Sequence, residues 1–295
     1  MSEDALWPRA AAWLQPSHDD VDIAVFGVPA HLTSISPTGA NQTPAAIRQA
    51  LLRYSTYNWS HQVDLAQFVA GDLGDVDLPD SPEGEERTSS LANLAVSQSR
   101  LAVALGGDNS ITYAVTRGAF AGDLSRAGLI TLDAHHDLRD GISNGSPVRR
   151  LIEDGLQGKN VVQIGIADFS NSPAYAARAH ELGVTVIPRS ALRGRNLADV
   201  WAEAVSIAGR GTDGIHVDFD VDVCDRAFVP ACPAAAPGGI SADELRQFAY
   251  LAGKTGSVRS MDITEIDASN DTSDERTVRL GALLILEAAA GLAAR

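Results

Sequence analysis

Gly128-Leu-Ile-Thr-Leu132 followed at once by Asp133-Ala-His-His-Asp137 is an apolar run that ends abruptly in acids and imidazoles. Five residues of this character read as a strand covered on both faces, and the polar residues behind it as that strand's carboxyl end. The same grammar recurs along the chain. Leu101–Leu105 runs into Gly106-Gly-Asp-Asn-Ser110, and Gly214–Phe219 into Asp220-Val-Asp-Val-Cys-Asp225. Further strands are predicted at Val21–Phe26, Val161–Ile166, Val184–Ile187 and Val258–Ile263, with helices at Pro44–Arg53, Ser172–Leu182, Leu197–Ala208 and Ser241–Gly253. Strand and helix alternating in this way predict a single α/β domain over residues 1–295, with a mostly parallel central sheet between two helical layers. Asp80–Arg87, rich in Asp, Glu, Ser, Pro and Gly, reads as a loop.

Composition narrows the function. The chain has 295 residues and a formal charge of −15, with 45% hydrophobic and 21% charged residues. Such an acidic balance lacks the basic face that nucleic acid or an anionic membrane requires. Leu280–Ala294, the longest apolar stretch, is interrupted by Glu287 and falls short of the ~20 residues of a membrane span. No secretory leader follows Met1, and two cysteines cannot build a disulfide framework. A cytoplasmic protein acting on a small molecule is expected.

Open parallel sheets bind ligands at the carboxyl ends of their strands. There, Asp133, His135 and Asp137 are spaced two apart and share a face if extended, as do Asp218, Asp220 and Asp222. Carboxylates converging on one small volume either take up protons or are joined by a cation. Mixed Asp and His donors suit Mn, Zn, Fe or Ni, and the excess of carboxylate tilts the choice toward Mn. Five or more donors on two strands suggest two ions sharing bridging carboxylates. The plainer alternative is that single acids here cap helices or solvate loops.

Taken in order, Gly106-Gly-Asp-Asn-Ser110, Asp133-Ala-His-His-Asp137 and Phe219-Asp-Val-Asp222, with Gly238-Gly239 beyond, resemble the ureohydrolase superfamily of arginases and agmatinases. The likeness runs from Thr43-Pro-Ala-Ala-Ile-Arg48 to Met261-Asp-Ile-Thr-Glu265. Asp133–Arg139, Ser143–Pro147 and Pro230–Gly239 are most similar to the formimidoylglutamases. This implies an arginase-like three-layer fold, two Mn2+ per subunit and a homo-oligomer. It also implies hydrolysis of N-formimidoyl-L-glutamate to L-glutamate and formamide, a step of histidine degradation, by a hydroxide bridging the metals.

The resemblance further implies residue roles. One metal would be held by Asp133, His135, Asp220 and Asp222, and the other by Asn109, Asp133, Asp137 and Asp220. The superfamily usually carries His where Asn109 stands, so the second metal is expected to bind more weakly. Asp137 would move the proton to the leaving amine. Glu265 would hold the amidine, and Arg139, Asn144, Ser146 and Asp168 would meet the rest of the substrate. Arg139 also makes electrostatic sense, because an anionic substrate needs a local cation on so acidic a protein. Arg149 and Arg150 could assist it from the same loop or line a solvated helix face. His216 and His136 read as packed histidines, and Cys224 and Cys232 as structural thiols. Hydrolysis of agmatine or a guanidino acid with release of urea is the rival enzyme reading. A metal-depleted homologue without catalysis is the other.

Overall fold

The computed structural model describes residues 4, 6–17 and 19–295. Its strands are β1 (Leu14–Pro16), β2 (Val21–Val28), β3 (Tyr57–Asn58), β4 (Val63–Asp64), β5 (Ala70–Asp75), β6 (Ser99–Gly106), β7 (Ala127–Leu132), β8 (Val161–Ile164), β9 (Thr185–Ile187), β10 (Gly214–Asp220) and β11 (Val258–Thr264). The helices are α1 (Thr43–Ala50), α2 (Pro82–Gln98), α3 (Ile111–Ala119), α4 (Pro147–Glu153), α5 (Pro173–Glu181), α6 (Leu197–Ala208), α7 (Ala242–Lys254) and α8 (Arg276–Leu292). All seven strands read from the sequence are present, and the four helices agree within a turn. The short pairs β1/β5 and β3/β4 carry too little periodic signal to be read in advance.

One expectation fails. Asp80–Arg87 is not a loop, because α2 begins inside it at Pro82. Ser81 caps the helix, its Oγ accepting from the Gly84 N–H at 3.0 Å, and Glu83 and Glu85 fall in the first turn. The acids and the proline that looked like loop composition are helix-start chemistry, where the exposed N–H groups favour negative charge.

Nine strands form one sheet in the order β1-β5-β2-β6-β11-β10-β7-β8-β9, and every pairing in it is parallel. One face packs against α1, α6, α7 and α8 through a single core that includes Ile47, Trp201, Phe248 and Leu284. The other face is divided. Phe26, Ala104 and Val115 form one cluster under α2 and α3, while Leu129, Leu151 and Ala179 form another under α3, α4 and α5. Between these clusters the central strands turn buried polar side chains, Thr131, His216, Asp218, Ser260, Asp262 and Thr264, into the interior. The topology sets the site. β10 and β11 come late in the chain yet lie between β6 and β7, so the four polar strand ends stand side by side.

Candidate metal centre and substrate cavity

Asp133 leaves β7 fully buried, and its Oδ1 accepts the His135 N–H at 2.6 Å. That turn brings the His135 ring back over the strand end, where Nδ1 lies 2.7 Å from Asp222 Oδ2 and 3.5 Å from Asp133 Oδ1. Asp222 is held in turn by the Ala134 N–H, donated to Oδ1 at 2.9 Å. One donor atom from each of Asp133, His135 and Asp222 lies within 4.8 Å of the others. A second group of the same size comprises Asp133, Asp137 and Asp218. Asp133 belongs to both, as a bridging carboxylate would.

Asp220 lines the cavity at the same strand end but lies outside both groups, its Oδ1 accepting the Asp222 N–H at 2.8 Å. Asn109 is set differently from the sequence expectation. Its Oδ1 accepts from the hydroxyls of Thr112 (2.8 Å) and Thr264 (3.1 Å), while Nδ2 donates to Asp137 Oδ2 at 2.5 Å. Turned this way, Asn109 holds Asp137 and presents no oxygen to a cation.

The residues fit a divalent cation. Asp133 Oδ2 and Asp218 Oδ2 are buried and receive no hydrogen bond. An ionised carboxylate in that condition is costly unless a cation or a proton neutralises it. The titration of the group shows the same tension. Burial and the neighbouring Asp222 push Asp133 up to about 6. Burial and Asp133 raise Asp137 well above the carboxylate range, and burial with Asp262 does the same to Asp218. Burial opposes a charge on His135, but the Asp222 and Asp133 carboxylates overcome it and push the imidazole up to about 12.

Glu265 enters from the end of β11. Its N–H donates to Gly107 O at 3.0 Å, and its Oε1 accepts from the Asn109 N–H (2.8 Å) and from Asn144 Nδ2 (2.9 Å). Burial and the Asp108 charge raise it to about 7, against the pull of those two donors. Gly106 keeps β6 close to β11, and Gly107 keeps the chain behind β6 close to Ala30. A Cβ on Gly107 would lie 2.3 Å from the Ala30 carbonyl oxygen, and one on Gly106 would lie 2.6 Å from that of Ile263.

A cavity of about 270 Å³ adjoins the acids and is lined by Asn109, His135, Asp137, Asp220, Asp222 and Glu265. Arg139, Asn144, Gly145, Asn171 and Tyr175 line it as well. Arg139 is exposed, and among the described residues its guanidinium pairs with no carboxylate. A Cβ on Gly145 would come within 2.8 Å of Arg139 Cδ, so the glycine makes room for the side chain.

Other expected residues are placed elsewhere. The Ser146 hydroxyl is buried in a turn, donating to Ser143 O at 2.8 Å and accepting from the Ser143 N–H at 2.9 Å, and neither Ser146 nor Asp168 lines the cavity. Arg150 is clamped on Glu85 by two bonds of 2.7 and 2.8 Å, and Arg149 binds the Arg139 carbonyl at 2.6 Å and pairs with Glu153, so neither assists Arg139. The packed histidines are as read: Nδ1 of His136 meets Gln163 Oε1 at 2.7 Å, and His216 meets Ser260 (2.8 Å) and Asp262 (3.2 Å). Cys224 and Cys232 are buried free thiols. Asn171 went unnoticed in the sequence. It accepts the His136 N–H at 3.0 Å and donates to Ala134 O at 2.9 Å, pinning the Asp133–Asp137 loop from a segment with no periodic signal.

A model of the arginase family matches residues 21–291. The chain belongs to that family. Among its arginase-family relatives, a formimidoylglutamase of Halalkalibacterium halodurans is 40% identical over 89% of this chain and 84% of its own. That of Bacillus subtilis is 34% identical over 91% and 86% respectively. The solved B. subtilis enzyme superposes with a TM-score of 0.91, at 31% identity, covering 99% of this chain and 94% of that one. A Trypanosoma cruzi formiminoglutamase solved with Mn2+ shares the fold at a TM-score of 0.90 and 24% identity, over 98% and 99% of the two chains.

Proposed function

We propose that the protein hydrolyses N-formimidoyl-L-glutamate to L-glutamate and formamide. The observation that carries this reading is a single cavity lined both by acids of the candidate cation sites, with Glu265 among them, and by Arg139, whose guanidinium pairs with no carboxylate among the described residues. Full-length likeness to formimidoylglutamases supports the same substrate.

Asp133, His135 and Asp222 would hold one divalent ion and Asp133 and Asp137 a second, with Asp220 at the shared edge. Bound there, manganese would acidify a water and stabilise negative charge as it develops. The chain's own residues do the rest. Glu265 has both donors on Oε1, which leaves Oε2 for the amidine N–H groups. Arg139 anchors a carboxylate of the glutamyl part through two parallel N–H bonds. Asp137 takes the proton released by the attacking water and passes it to the departing amine, a general acid–base contribution of ~10²–10⁴-fold. Water adds to the formimidoyl carbon, the C–N bond to glutamate breaks, and formamide leaves with the second nitrogen. Histidine degradation, a cytoplasmic homo-oligomer and one catalytic domain over the whole chain belong to the same reading.

The test is glutamate release from N-formimidoyl-L-glutamate by chelator-stripped protein titrated with Mn2+. Release is expected to rise and level off at two ions per subunit. No release at any metal concentration overturns the assignment, and urea release from a guanidino acid or agmatine would replace it.

A further inference from the structure

Asp218 sits on β10 two residues before Asp220, fully buried, with one donor atom grouped within 4.8 Å of donor atoms of Asp133 and Asp137. Its oxygens are poorly served. Oδ2 has no hydrogen-bond partner. Oδ1 lies 3.5 Å from Thr264 Oγ1, but that hydroxyl has one proton and lies closer, at 3.1 Å, to Asn109 Oδ1. A fully buried carboxylate without a committed donor is retained where a cation or a shared proton satisfies it. The neighbouring position makes the cation the better account. Asn109 spends its amide oxygen on two hydroxyls and its N–H on Asp137, so the metal next to it is short of one donor. Asp218 reaches the same volume from the adjacent strand.

We propose that Asp218 is a ligand of the second metal ion, supplying the donor that Asn109 does not. The inference rests on the two-metal reading of the site and adds a residue to it. The anionic carboxylate would give this ion a harder, all-oxygen shell of Asp133, Asp137 and Asp218, while the ion at His135 keeps a mixed one. Ligand chemistry of that kind favours Mn2+ over Zn2+ at the second position.

Two measurements on the full-length protein decide it. The first is anomalous scattering at the manganese edge from crystals of the unaltered protein grown with Mn2+. A metal–oxygen distance from Asp218 within about 2.6 Å marks a ligand, whereas two ions bound with Asp218 more than about 3.5 Å from both overturn the proposal. The second is Mn2+ binding by titration calorimetry and electron paramagnetic resonance, without substrate. Asp218→Asn should cut the stoichiometry from two ions to one and abolish the spin-coupled signal of the pair. N109H/D218N, which returns an imidazole to the site, should recover the second ion. Two ions bound by Asp218→Asn with unchanged affinity would mean that Asp218 instead shares a proton with Asp262, its partner on β11. Unaltered protein that binds no pair of ions at all would overturn the two-metal reading itself, a result distinct from two ions bound without Asp218. If Asp218→Asn does not fold, the metal–oxygen distance in the crystal of the unaltered protein is sufficient to uphold or overturn the proposal.

Discussion

Asp137 and Glu265 both hold left-handed backbone angles, with φ of 54° and 64°. A residue with a side chain costs roughly 1–3 kcal/mol there and persists only where its surroundings fix it. Asp137 is fixed by Asn109 Nδ2 and Glu265 by the Asn109 and Asn144 donors, so one asparagine steadies both acids of the site. Asp137→Asn tests the proton role when Mn2+ stoichiometry is measured beside turnover, because Asp137 is also a proposed metal donor, while Asn tolerates this conformation as well as Asp does. Turnover of N-formimidoyl-L-glutamate should fall by at least about 10²-fold with folding intact, and an unchanged kcat would remove Asp137 from proton transfer. Arg139 is exposed and pairs with no acid among the described residues, so its loss should cost binding and little else. Arg139→Ala should raise KM about tenfold or more while kcat stays near its original value. A fall in kcat alone would show that Arg139 is no ground-state anchor.

At the scale of elements, α2 shows how a helix start can pass for a loop. Ser81 caps it, Pro82 opens it, Glu83 and Glu85 complement its positive end, and Glu85 also receives the two bonds from Arg150 of α4. Replacing Ser81 with Ala should destabilise the fold by about 1 kcal/mol, read as a fall in melting temperature of roughly 2–4 °C. Activity should not change, because the cap is no part of the cavity lining. A melting temperature indistinguishable from the unaltered protein would show that the Ser81 bond adds nothing beyond what water supplies.

For the molecule as a whole, the buried acids tie stability to pH and metal. Asp133 and Glu265 titrate near 6 and 7 when folded, above their ordinary range, because burial and neighbouring carboxylates disfavour the charged forms. Between about pH 4, where these groups titrate when unfolded, and pH 7, the metal-free native state holds more protons than the unfolded chain. Stability of the metal-free protein attributable to these groups therefore falls as pH rises across that window. Divalent metal bound to these acids would take the place of the protons, so its stabilising effect should grow over the same interval. Thermal unfolding with chelator and with Mn2+ should diverge as pH is raised from 5 to 7. Curves that stay parallel would mean that these acids bind no ion. At the same scale, no helix among the described residues is long and apolar enough to cross a membrane.

The apolar strands and the acids behind them were legible because both signals are local: a run of β-branched or aliphatic residues marks a strand, and an abrupt polar end marks its tip. Asp133, His135, Asp137, Asp218, Asp220 and Asp222 could be picked out on that ground, and the arginase-like motif order added Asn109, Arg139 and Glu265. What local pattern could not give was which strand ends adjoin. That depends on β10 and β11 lying between β6 and β7, a matter of sheet order and therefore of long-range pairing. The same long-range arrangement decided which way the Asn109 amide faces, that Arg150 is spent on Glu85, and that Asp218 is grouped with Asp133 and Asp137. Sequence alone determined the kind of protein this is, because strand, helix and ligand signatures lie in consecutive residues. Tertiary structure decided which side chains meet, because the partners of a buried polar atom are set by packing between segments far apart in the chain.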